Sequence, residues 1–128
     1  MPAAFRSDCP IASALDILGD KWSLVIIRSM MLGAHSFQDF HRAPEKIATN
    51  ILADRLQRLQ AWGLIETTPA RPGARGGYRL TASGADILPL LQTLARWGEA
   101  HLENRSSPPD WFLKATPADV LARASRQA

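Results

Sequence analysis

The sequence predicts a mainly α-helical fold with one small β-hairpin, the layout of a winged helix-turn-helix. Three observations carry that prediction. Leu52, Leu56 and Leu59 recur at spacings of four and three, which makes a single apolar stripe on a helix. Gly63 follows, able to end that helix in the left-handed conformation that glycine tolerates. Beyond it, two strand-compatible runs, around Ile65 and Thr67 and then Tyr78 and Leu80, flank a stretch punctuated by Pro69, Pro72, Gly73, Gly76 and Gly77.

In chain order, Ser7 or Asp8 can cap a first helix in which Pro10 takes an early position. Ile11, Ala14, Leu15 and Leu18 give it one apolar face, and Gly19 ends it. Asp20 can cap the next helix, where Trp22, Val25, Ile26 and Met30 repeat at helical spacing while Leu24 and Ile27 fill much of the remaining circumference. A helix apolar nearly all round belongs at the centre of the fold. Gly33-Ala34-His35 reads as a turn, and Ser36 can cap a short third helix anchored by Phe37 and Phe40. Pro44 closes it, and Glu45-Lys46 leads into the leucine-striped helix. Short helix, turn and second helix give helix-turn-helix geometry. Ala48 has no capping group, so the striped helix uses Thr49 or leaves its first amides open.

After the hairpin, Thr81 can cap a long helix whose apolar face includes Leu88, Leu91, Leu94 and Trp97, with Pro89 expected to kink it. So much apolar surface after the main core elements calls for a second copy, packed through this helix and the first one. Leu15, Leu88, Leu91, Leu94 and Trp97 are the expected dimer residues. Residues 1–105 are thus read as a DNA-binding unit with terminal dimerisation helices, and 106–128 as a linker with a short helix at about 117–126. Thr116-Pro117-Ala118-Asp119 is a favourable helix start, and Trp111 and Phe112 need a surface to dock on.

Composition narrows the class. The chain has 128 residues, 46% hydrophobic and 21% charged, as expected for one globular domain. No run approaches the ~18 apolar residues of a membrane span, and Arg6, Asp8 and Pro10 interrupt any signal-peptide pattern near the start. A single cysteine excludes an internal disulfide and fits the reducing cytoplasm. The net charge of +3 is unevenly placed. Acids and bases balance in residues 1–44 and again in 81–128. Between them, Lys46, Arg55, Arg58, Arg71, Arg75 and Arg79 face only Glu45, Asp54 and Glu66. The excess therefore lies on the striped helix and hairpin, the footprint of a phosphate-binding surface.

The helix face opposite the stripe carries groups that can read base edges in a major groove. Asn50, Ala53, Asp54 and Gln57 occupy it, with Thr49 near its edge. Asn50 or Gln57 can bond adenine through its amide, and Asp54 can accept from cytosine. Arg55 and Arg58 on the helix, with Arg71, Arg75 and Arg79 on the hairpin, are the expected backbone or minor-groove contacts. The partner is then double-stranded DNA, with half-sites about 34–36 Å apart for two copies.

Together these segments resemble the HxlR-type family of bacterial transcriptional regulators. The resemblance spans about residues 9–102 and rests on Cys9-Pro10, Leu15-Asp16-Ile17-Leu18-Gly19-Asp20-Lys21-Trp22 and Phe37-Gln38-Asp39-Phe40. It continues through Ile47 to Leu59, Gly63-Leu64-Ile65, Tyr78-Arg79-Leu80-Thr81, Gly84, Leu88-Pro89 and Trp97-Gly98. It implies a dimeric winged helix whose terminal helices form the dimer interface, acting as repressor or activator. Ala48 stands where the family commonly has serine, and the tail after Leu102 lies outside the match.

The resemblance also aligns Cys9 with an N-terminal cysteine that some members use to sense oxidants or electrophiles. A thiol at a helix N-terminus suits that chemistry, and with one cysteine it requires an intersubunit disulfide, an adduct or a sulfenic acid. His35, His41 and His101 form no recognised metal spacing with Cys9, and no motif supplies a hydrolase. Neither cofactor nor enzyme activity is expected. Two other roles remain open: a protein-interaction module on the same fold without DNA, and a small-molecule sensor with a pocket between core and long helix, lined by Trp22, Phe37, Phe40 or Trp97.

Overall fold

The computed structural model describes residues 5–73 and 76–127, with side chains to residue 123. Its elements run α1 (Pro10–Leu18), α2 (Ser23–Met31), α3 (Phe37–His41), α4 (Thr49–Ala61), β1 (Ile65–Thr68), β2 (Gly77–Leu80), α5 (Ala82–Ala85), α6 (Leu88–His101), α7 (Asp110–Lys114) and α8 (Pro117–Gln127).

Helix α2 is the centre, as its all-round apolarity predicts. Ser23, Ile26, Ile27, Met30 and Met31 are buried in it. They share one buried cluster with Phe40 of α3, Leu52, Leu56 and Leu59 of α4, Ile65 and Leu80 of the hairpin, and Leu88 and Leu91 of α6. The stripe of α4 is thus its inward face.

Local chemistry sets the element ends. Ser36 and Asp39 form a reciprocal capping box at α3, the hydroxyl accepting from the Asp39 amide and the carboxylate from the Ser36 amide. Gly63 takes φ +77° and ends α4 as expected. Helix α1 starts differently from the expectation: Cys9 occupies the cap position with no side-chain cap, and Pro10 follows it. Pro89 also departs. It does not bend a continuous helix, because the chain breaks after the one-turn α5 and Pro89 lies in the opening turn of α6. There its missing amide has no carbonyl to bond, so proline costs nothing.

Strands β1 and β2 pair antiparallel, Ile65 opposite Leu80 and Glu66 opposite Arg79. The Tyr78 amide also donates to the His35 carbonyl at 2.7 Å, tying the wing to the turn before α3. Gly77 makes that approach possible: a Cβ there would lie 2.3 Å from the same carbonyl oxygen.

The tail is no mere appendage. Phe112 and Val120 are buried in the core, and α8 packs against α5, α2 and β2. The buried Gln92 amide donates to the Phe112 and Ala115 carbonyls, both at 2.9 Å. Trp111 is half-buried beneath the Arg123 guanidinium, 3.9 Å from its ring centroid.

Candidate nucleic-acid interface

With the leucine stripe turned inward, Thr49, Asn50, Ala53, Asp54 and Gln57 all stand exposed on the outer face of α4. Ala48 occupies the cap position without a side-chain cap, so the first amides of α4 remain open toward solvent, one of the two outcomes the sequence allows.

Arg55 has another job than the expected phosphate contact. Its Nε donates to Asp20 at 2.8 Å and its Nη1 to Asp54, across a sequence separation of 35 residues for the first pair. Asp20 also accepts from the Trp22 and Ser23 amides at 2.9 and 3.1 Å and from the Ser23 hydroxyl. Asp20 is thus not the cap residue expected, since Trp22 holds that position, but from two residues earlier its carboxylate binds the first amides of α2 and anchors α4 to it. Partial burial alone raises the Asp20 pKa, but bonds from Ser23, Arg55 and the two amides outweigh it and lower it to about 2. The same ion pairs raise the Arg55 pKa, the Asp20 bond most of all. Pairing with Arg55 also offsets the repulsion Asp54 would exert on a phosphate.

Arg58 is half-buried on α4 and Arg71 is exposed in the wing loop. Arg79 projects from β2 and bonds its cross-strand neighbour Glu66 at 3.0 Å. Both partners are about half exposed, and such surface pairs contribute little, so the guanidinium is readily exchanged onto an anion. Arg75, the remaining wing arginine singled out in the sequence, lies outside the described residues.

The expected dimer residues divide. Leu88 and Leu91 are buried inside the protomer, which removes them from any interface. Leu15, Leu94 and Trp97 are 54%, 46% and 58% exposed, joined by Ile11 and Leu90. Helix α6 carries two apolar stripes, and periodicity could not say which one faces inward. Helix α1 buries no residue at all.

Of the aromatic residues considered for a pocket, none lines the clefts beside α2 and α6. Phe40 is in the core, edge-on to Tyr78 with ring centroids 6.0 Å apart, while Trp22 and Phe37 pack against the core cluster. Trp97 sits on the outside, its ring 5.0 Å from that of His101 and tilted 38° to it. Sequence reasoning missed a lock between α2 and the helix-turn-helix loop. Arg28 donates to both oxygens of Glu45 at 2.7 and 2.9 Å, and the only available signal was an acid at the start of the basic segment.

Comparison with known proteins finds the profile of the HxlR-like helix-turn-helix family matching residues 17–106. The chain belongs to that family. An HTH-type transcriptional regulator of Synechocystis is 33% identical over 100 residues, covering 77% of this chain and 73% of its own length. One from Mycobacterium tuberculosis is 31% identical over 77% of this chain, which spans only 63% of that relative's length. Among solved structures, PA1607, a candidate transcription factor, superimposes with a TM-score of 0.73 at 36% identity, over 80% of this chain and 73% of its own. The oxidised form of the redox regulator HypR does so with 0.66 at 28% identity, over 77% and 99%. The structural neighbours are winged-helix regulators, so the hairpin after α4 is the wing. Helices α7 and α8 lie beyond the matched span.

Proposed function

We propose that this HxlR-family chain is a sequence-specific DNA-binding transcriptional regulator acting in the cytoplasm as a homodimer. The observation that carries the reading is the outer face of α4, where Thr49, Asn50, Ala53, Asp54 and Gln57 are exposed beside a basic wing. In this reading α4 enters the major groove, with the Asn50 and Gln57 amides reading bases and Asp54 accepting from a cytosine amino group. Arg58, Arg71, Arg75 and Arg79 hold the phosphate backbone, and Arg55 acts indirectly by fixing α4 on α2. Ile11, Leu15, Leu90, Leu94 and Trp97 supply the surface that a second copy covers.

Selection of duplexes from a random pool, followed by salt-titrated binding to the enriched sequence, tests the proposal. An enriched motif of two half-sites and an affinity that falls steeply with salt are expected. A chain that enriches nothing and ignores duplex at low salt is instead an interaction module.

A second reading adds a thiol sensor to this regulator. Cys9 is exposed at the cap position of α1, on the helix whose apolar face stands open, and the neighbour HypR is a redox regulator solved in oxidised and reduced forms. Two Cys9 thiols treated with diamide would join as an intersubunit disulfide while the diazene takes up their two protons and two electrons to become the hydrazine. A diamide response of duplex binding that survives Cys9→Ser removes this reading.

A further inference from the structure

Between the C-terminal half of α2, helix α6 and the segment 106–109 lies a cavity of about 520 Å³ that the interface does not use. Leu32, Leu91, Leu94, Ala95, Pro108 and Phe112 make its apolar walls, and Arg28 and Pro44 also line it. A more open cleft of about 470 Å³ shares Arg28, Leu32 and Pro44 with it and adds His35, Asp39 and Arg42. The two adjoin at these shared residues, the first mainly apolar and the second carrying the cationic side chains. Asp39 is already engaged by the His35 and Ser36 amides at 3.0 and 3.1 Å. Arg42 is exposed and has no ion pair among the described residues, and the buried Nε of Arg28 has no partner among them.

We propose that cavity and cleft act as one groove that binds a compact organic anion, its aromatic or aliphatic body in the α2–α6 cavity and its carboxylate at Arg28 and Arg42. The volume falls within the range of small-molecule sites, and apolar walls with a few convergent polar groups are their usual make-up. The chain's own segment 106–109 closes one side, so no second copy is needed to form it. Leu94 alone is shared with the exposed apolar face described above.

The groove also touches the reading element. Pro44 lines it, and the next residue, Glu45, holds Arg28. Lys46 follows at φ +57°, then the buried Ile47 at the root of α4. Hydrogen bonds from Arg28 keep the Glu45 carboxyl below the usual glutamate range, so it competes as an anion. A ligand carboxylate that takes Arg28 releases Glu45 and frees the turn from α2. This coupling, unlike the binding itself, rests on the DNA-binding reading.

The probe is 2-naphthoate, compared by calorimetry with its uncharged near-isostere 2-acetylnaphthalene on the full chain without DNA. One saturable site per chain is expected, with naphthoate bound about tenfold tighter than the ketone. Ala95→Phe should weaken both about tenfold or more by filling the cavity; Ser107→Trp replaces it where circular dichroism shows a lost fold. Arg28→Gln should erase the preference for the anion, and Arg42→Gln, at an exposed position, should reduce it. Absence of saturable binding up to roughly 1 mM overturns the proposal, as does binding indifferent to the cavity-filling variants. With duplex present, saturating naphthoate should weaken binding at least about threefold. An unchanged affinity there removes the coupling and leaves the site. A chain that ignores duplex altogether fails the earlier proposal alone.

Discussion

Helices α4 and α6 are of similar length, 13 and 14 residues, and both are rich in leucine, yet they meet their surroundings in opposite ways. Helix α4 has one apolar stripe, wholly buried, and turns amides, a carboxylate and a hydroxyl outward. Helix α6 has two stripes: Leu88 and Leu91 go inward, while Leu90, Leu94 and Trp97 stay exposed. The outer face of each helix states the chemistry of what it awaits. A polar face with basic neighbours fits a polyanion, and an exposed apolar face fits another protein surface.

The contrast can be broken from its inner side first. Leu56→Ala, at a fully packed position, should cost about 2–5 kcal/mol in denaturant unfolding. Pairing Leu94→Ser with Trp97→Ser should weaken self-association by about a hundredfold or more, seen by sedentation-equilibrium or light scattering, while leaving protomer helicity intact. A dimer that persists would place the interface elsewhere.

Acid tests the link between α2 and α4. The Asp20 pKa is lowered from 3.8 to about 2, so its contribution is full above the unfolded pKa and is lost as pH falls from about 4 toward 2. Roughly 2 kcal/mol depends on it. Asp20→Asn should remove that part of the pH dependence in unfolding titrations and also loosen Arg55. On the outer side, Gln57→Ala or Asn50→Ala should leave thermal stability unchanged yet shift preference among duplex sequences by about 1–3 kcal/mol. Equal losses on specific and random duplex would reassign these residues to backbone contact.

How much of this could be read in advance follows from sequence distance. The stripe of α4, the Ser36 cap, the Gly63 stop and both hairpin ends depend on neighbours within a few residues, and all appear where the pattern placed them. The pairing of Arg55 is hidden from the sequence because its partner, Asp20, is 35 positions away. Leu88 and Leu91 prove inward-facing, and a helix with two apolar stripes offers periodicity no way to choose between them. Pro89 permits either a kink or a start, and the break after α5 decides. The Arg28–Glu45 lock and the groove beside it join α2, the turn before α4, α6 and the segment 106–109, a convergence that only the packed chain displays.

The Gln92 amide has a consequence for how the chain can be shortened. Cutting at the end of the family match would take away both of its acceptors and leave a donor stranded in an apolar socket emptied of Phe112 and Val120. In this member the last twenty-odd residues have become masonry, and a minimal fragment trimmed to the shared outline should collapse or aggregate before it meets any nucleic acid.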